Sequence, residues 1–250
     1  MSDFVPSDHP RAASLKIREQ LEKGFEEGLV AKAGLFAHGR GEAFDYLLGE
    51  KTTKLAKTAI EVSAAYFLLA ERPIISVNGN VAALVPKELV ALSKLSGAPL
   101  EVNLFYRTAD REQLIAEKLL QNGARKILGL GPERAEIEEL SHKRRFVAPD
   151  GILIADVVFV PLEDGDRTEA LIKMGKKVIT VDLNPLSRTS QAATVSIVDN
   201  IVRALPLVVE MIKKLREESE ESWHKIIVDF NNQRNLQESY KQILGGFPAL

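Results

Sequence analysis

Between residues 73 and 199, short apolar runs rich in β-branched residues alternate with helical segments, and this rhythm limits the possible folds more than any other feature of the chain. PIISVN reads as a strand, KELVALSKLSG as a helix, PLEVNLF as a strand, and ADREQLIAEKLLQNG as a helix closed by Gly123. KILGL, a short polar helix, ADVVFVP, RTEALIKMGK, KVITVD and ATVSIV continue the series. Parallel neighbours need a crossover, so the alternation predicts an α/β fold, a mainly parallel sheet with helices on both faces. Ligands of such sheets bind beyond the carboxyl ends of the strands.

Helical patterns flank this core. Ser7 or Asp8 can cap a helix that starts near Pro10 and stops at Gly28, with Ile17, Leu21 and Phe25 on its apolar side and Arg11, Ser14 and Arg18 on another face. TTKLAKTAIEVSAAYFLLAE places Leu55, Ala59, Val62, Tyr66 and Leu69 at helical spacing and ends at Arg72-Pro73. From Asn200 onward the patterns are helical only; Pro206 is expected to kink the first of these helices. Trp223, Phe230 and Tyr240 are expected to dock on the core or on a second subunit. The organisation expected is a single α/β domain over 1–250. Residues 1–72 form an N-terminal helical part with a glycine-flanked loop, 73–199 the alternating core, and 200–250 a helical C-terminal extension.

Composition removes several functions. Lys and Arg total 33 against 35 Asp and Glu, a net charge of -2, so neither nucleic acid nor a membrane surface is an expected partner. No cysteine is present, which excludes disulfides, thiolate nucleophiles and cysteine-ligated zinc. The N-terminus lacks the apolar core of a signal peptide, and other apolar stretches fall short of about 18 residues, so a cytoplasmic location is expected.

Four predicted strand ends carry amides, hydroxyls or arginines. They are Asn78, Gly79 and Asn80; Asn103, Tyr106, Arg107 and Thr108; Asp182, Asn184, Ser187, Arg188, Thr189 and Ser190; and Asp199 with Asn200. Singly these are turn formers and helix caps. Together they suit phosphate, while a strand-end Asp can hold a ribose or a metal, so the predicted ligand is a nucleotide. Neither the P-loop nor the dinucleotide fingerprint is present, and GLGPER at 129–134 reads as a turn. No two histidines are close enough in sequence for a metal pair, and any metal is expected to be Mg²⁺ brought with phosphates and held by Asp182 or Asp199. In FAHGRGEAFDYLLGE the glycines around Arg40 would let a guanidinium approach a phosphate, with Arg11 or Arg18 reinforcing the site.

HPRAASLKIRE, GLFAHGRGEAFDYLLGE, SVNGNVAALVP, LEVNLFYRT and VDLNPLSRTSQ, in this order over nearly the whole chain, resemble the archaeal phosphopantothenate synthetases, or 4-phosphopantoate–β-alanine ligases. The resemblance implies an enzyme of coenzyme A synthesis with a Rossmann-like core, acting as a homodimer. It implies that 4-phosphopantoate is joined to β-alanine through an acyl-adenylate, with ATP converted to AMP and pyrophosphate and Mg²⁺ as the cofactor. The family's ATP-binding pattern falls on Arg18, Arg40, Asp182, Leu183, Asn184, Ser187, Arg188, Thr189, Asp199 and Asn200. The expected catalytic residues are Arg40, on the phosphates, and His38 or Glu42 as a base; Asn78, Asn80, Asn103, Tyr106 and Arg107 are candidates for the organic substrates. Two alternatives remain on the same alternating fold, an NAD(P)-dependent dehydrogenase and a non-catalytic nucleotide-binding regulator.

Overall fold

α1 (Ala12–Glu26) stops where Gly28 takes φ +79°, the left-handed conformation that glycine enters without steric cost. The computed structural model describes residues 11–245 together with Pro6, Asp8 and His9, so the expected Ser7 cap and Pro10 start lie outside the described residues. α2 (Lys32–Leu47) corrects the sequence reading, because the supposed glycine-flanked loop around Arg40 is helix throughout and neither Gly39 nor Gly41 has positive φ. Two mid-helix glycines cost roughly 1 kcal/mol each relative to alanine. Tertiary bonds offset that cost: Asp45 accepts from Asn200 Nδ2 at 2.9 Å and Arg203 Nη2 at 2.5 Å, and Asn80 Nδ2 donates to Gly34 O at 2.9 Å. α3 (Lys54–Leu69) is capped by the Thr53 hydroxyl, which accepts from Ala56 N at 3.1 Å; it buries Ala59 and Val62 of the expected stripe together with Ala56, Ile60 and Phe67, while Leu55, Tyr66 and Leu69 are only partly buried.

The alternating region follows in chain order. β1 (Pro73–Val77), α4 (Gly79–Leu84), α5 (Pro86–Ser96), β2 (Leu100–Val102), α6 (Ala109–Gln121) and β3 (Ile127–Leu128) make its first half. An insertion holds β4 (Ala135–Glu136) and β5 (Phe146–Val147). The second half is β6 (Val157–Phe159), α7 (Gly165–Lys173), β7 (Lys177–Val181), α8 (Arg188–Ala192) and β8 (Val195–Ile197). The main sheet runs β3-β2-β1-β6-β7-β8 with every pair parallel, Ile75 lying opposite Leu100 on one side and Phe159 on the other. The chain winds outward from β1 to β3, returns to β6 beside β1, and winds the other way. A crevice opens at that reversal, beyond the ends of β1 and β6.

Side chains of successive strand residues face opposite ways, and the core divides accordingly. Ile75, Val77, Phe159 and Val181 pack with α3, α5 and α9 (Ile201–Leu215), while Ile74, Val158, Val160 and Val178 face Ala170 and Leu171 of α7 and the insertion's Ile137, Leu140, Val147 and Ile152. α9 is therefore a core layer, not an appendage, and it continues through Pro206 as one helix. α10 (Glu220–Val228) and α11 (Asn232–Gly245) complete the described chain. Trp223 and Phe230 dock on the core, Trp223 Nε1 donating to Leu215 O at 2.7 Å, whereas Tyr240 remains exposed.

The expected short polar helix after β3 is absent; β4 and β5 form an antiparallel ribbon there, with a 3₁₀ turn at Lys143–Arg145. The segment has no apolar helical stripe, and side chains from the sheet take up its backbone groups. Buried Glu101 accepts from Ala148 N at 3.0 Å and Ile152 N at 2.8 Å, and burial pushes its carboxyl pKa up against those bonds. Arg107 donates to Phe146 O at 2.8 Å and Gly129 O at 2.9 Å and pairs with Glu112.

Candidate active site

The switch-point crevice is a cleft of about 600 Å³. α2 lines one wall with Gly34, Ala37, His38, Arg40, Gly41 and Phe44, and the strand ends supply the floor. Gly34, Ala37 and Gly41 fall on one helix face, and a Cβ at Gly34 would collide with the Asn80 side chain. The glycines thus serve close approach to the β1 turn and an open wall, not backbone freedom.

Of the expected nucleotide residues, Arg40, Asp182, Leu183, Asn184, Ser187, Arg188, Thr189 and Asn200 all line this cleft. Arg40 is exposed and makes no ion pair or hydrogen bond among the described residues. Asp182 organises the β7 turn by accepting from Asn184 N at 2.9 Å and Ser187 Oγ at 2.5 Å. Burial raises its pKa, opposed by those bonds and by the nearby charge of Arg40. Ser187 in turn caps α8 through Ser190 N at 2.9 Å, and Thr189 Oγ1 donates to Glu163 O at 2.8 Å. Arg188 reaches out to Glu169.

Other expected residues stand elsewhere. Arg18 forms a two-pronged pair with Glu42, Nε to Oε1 at 3.0 Å and Nη2 to Oε2 at 2.6 Å, and neither lines the cleft. Asp199 accepts from Thr52 Oγ1 at 2.6 Å, Asn200 N at 2.7 Å and Arg203, so its carboxylate braces α3 and α9 against the sheet. Asn103 donates to Phe146 O at 3.1 Å and, like Arg107, anchors the insertion outside the cleft lining. Asn78 lines the cleft with its side chain spent on Val81 N at 3.1 Å and Pro161 O at 2.9 Å; Asn80 lines it as well, and Tyr106, 56% exposed, stands at its edge. His38 also lines it, and its Nε2 is buried with no partner among the described residues. Burial lowers the His38 pKa, with Glu42 opposing and Arg18 reinforcing that shift.

Three contributors are absent from the sequence reading. The turn after β6 brings Leu162, Glu163, Asp164 and Gly165 into the cleft lining, and the rule applied to the other strand ends would have found it. Arg144 arrives from the insertion and pairs with Glu163; burial pushes its pKa down to about 10. Arg111, on α6, lines the cleft too, and neither arginine carries a local sequence signal that separates it from a solvated charge. Among the described residues no group of three or more His, Asp or Glu side chains could hold a metal, and no helix is long and apolar enough to cross a membrane.

Fold and cleft together define an open, doubly wound α/β protein whose switch-point site is lined with cations, amides and hydroxyls suited to anionic ligands. Residues 55–245 match the phosphopantothenate/pantothenate synthetase family, and the chain belongs to that family. The chain is similar to the 4-phosphopantoate–β-alanine ligase of Thermococcus kodakarensis, at 54% identity over 94% of this chain and 90% of the relative. It is similar also to those of Methanosarcina mazei, at 51% over 96% and 94%, and Thermococcus onnurineus, at 52% over 94% and 90%.

Proposed function

We propose that the protein is an ATP-dependent, AMP-forming ligase that condenses 4-phosphopantoate with β-alanine to 4'-phosphopantothenate in the cytoplasm. Family membership supports the overall reaction. The observation that carries the site assignment is the cleft itself, where uncompensated Arg40 faces the β7 turn across an opening large enough for a nucleotide and a small acid. The carboxylate of 4-phosphopantoate attacks the α-phosphorus of ATP, the bond to the β-phosphate oxygen breaks, and pyrophosphate leaves. The amine of β-alanine then attacks the acyl carbon, and AMP leaves with one oxygen of the original carboxylate.

Arg40 binds the phosphates and offsets the charge that builds on them. Asp182, Leu183, Asn184 and Arg188 hold the nucleotide from the β7 side. Arg18 is held ready by Glu42, and exchanging that carboxylate for phosphate would bring it to the site; paired this way, Glu42 is a poor base. His38 is the better one, since burial keeps its imidazole neutral and its free Nε2 can take the proton that the β-alanine ammonium must lose. Of the three cleft carboxylates, Glu163 is spent on Arg144 and Arg167, and the remaining Asp164 and Asp182 are too few for a resident metal site but fit a Mg²⁺ that enters with the triphosphate. Bound there, Mg²⁺ would supply charge neutralisation of the phosphates, with Asp182 and water in its shell.

Purified protein given ATP, Mg²⁺, 4-phosphopantoate and β-alanine should form AMP and 4'-phosphopantothenate in equal amounts. AMP release that needs neither organic substrate, or no amide product, would overturn the reading.

A further inference from the structure

Buried arginines in this molecule come with carboxylates. Arg107 has Glu112, Arg144 and Arg167 share Glu163, and the partly buried Arg203 likewise sits between Asp45 and Asp199. Arg111 is the exception among the described cleft arginines that are not exposed: it is half-buried and has no acidic partner. Two carbonyls hold it in place, Leu29 O at 2.8 Å from Nη2 and Tyr106 O bonded to Nη1, and its Nε is buried without a partner. A guanidinium fixed by neutral groups, facing a cleft, with donors to spare, lacks a counter-ion that the chain does not supply.

Its position says which anion. The ends of β2 and β7 are separated by β1 and β6, three strand spacings or about 14 Å, so Arg111 and Tyr106 lie across the cleft from the β7 turn assigned to the nucleotide. We propose that Arg111, with Tyr106 beside it, is the subsite for the phosphomonoester of the acid substrate and the residue that selects a phosphorylated acid over its unphosphorylated form. This rests on the ligase reading above. The carboxylate and phosphate of 4-phosphopantoate are five bonds apart, and because a zigzag chain advances less than its bond lengths of roughly 1.5 Å, the extended reach is about 6 Å. With its phosphate on Arg111, the molecule points its carboxylate toward the middle of the cleft, where the α-phosphate of ATP is expected. The fixed guanidinium matches a phosphate dianion in a paired geometry that an alcohol cannot reproduce.

The test compares wild type, Arg111→Gln and Arg111→Lys with 4-phosphopantoate and with pantoate. Arg111→Gln should raise the KM for 4-phosphopantoate about 100-fold, leave the KM for ATP within about two-fold, and collapse the preference over pantoate; Arg111→Lys should recover part of the loss. KM values for ATP and 4-phosphopantoate that rise together, or an undiminished preference, would overturn the assignment. Because Arg111 also ties two carbonyls, a binding measurement accompanies the kinetics. With a non-hydrolysable ATP analogue filling the nucleotide half, inorganic phosphate should raise the melting temperature of wild type and Arg111→Lys but not of Arg111→Gln. Equal phosphate stabilisation of all three proteins would contradict the subsite. Wild type that shows the phosphate effect yet forms no AMP would contradict the ligase reading and leave the anion subsite standing.

Discussion

Arg40 and Arg107 carry the same charge and opposite roles, and their bonds show why. Arg40 is exposed and unpaired among the described residues, so Arg40→Ala should keep the wild-type melting temperature and lower kcat/KM for ATP about 100-fold, the cost of removing one donor from a developing charge. His38 makes a second prediction. Burial lowers its folded pKa below 6.5, so the neutral base is present at pH 7 and the acidic limb of the kcat profile should fall below pH 6.5. His38→Asn should abolish that limb together with most turnover. The same shift has a stability sign: as pH drops below 6.5 the unfolded chain protonates first, so the His38 contribution to stability declines through the folded pKa. Sequence reading named Arg40 and His38 as site candidates in a loop, and the structure puts both in the cleft lining on a helix, since glycines in mid-helix look the same in sequence as glycines in a loop.

At the scale of elements, the insertion between β3 and β6 depends on Asn103, Arg107 and Glu101, which grip its backbone from the sheet. Arg107→Met removes buried bonds to two carbonyls and to Glu112, which should cost about 3 to 5 kcal/mol and lower the melting temperature by about 10 °C in a chain of this size. Loss of activity should follow the loss of folded protein, with the KM for ATP unchanged in what remains folded; a normal melting temperature with a raised substrate KM would place Arg107 in the site instead. Strand ends were legible because the α/β rule places them at the crevice, and the β7 turn does line it. The insertion was not legible: two-residue strands leave no periodic signal, and the side chains that grip it lie far away in sequence, from 39 residues for Arg107 and Phe146 to 51 for Glu101 and Ile152.

For the whole molecule, alternation of strand and helix was enough to anticipate the parallel sheet, because each crossover restates the same constraint. It could not show that α9 belongs to the core, since an amphipathic helix after the last strand reads alike whether it covers the sheet or extends from it. Nor does sequence periodicity explain α2, whose outer face leaves Phe36 74% and Tyr46 71% exposed. We propose that this face is where a second copy packs in the homodimer that the family resemblance implies, placing the interface on the reverse of the helix that lines the cleft. Sedimentation should give twice the 27.6 kDa chain mass, and Phe36→Glu combined with Tyr46→Glu should give one; a wild-type monomer would remove the proposal. The central claim, adenylate chemistry in the switch-point cleft, is tested most directly by ¹⁸O in the carboxylate of 4-phosphopantoate. Turnover with ATP and β-alanine should deliver one labelled oxygen to AMP, and label found in inorganic phosphate beside ADP would contradict the account.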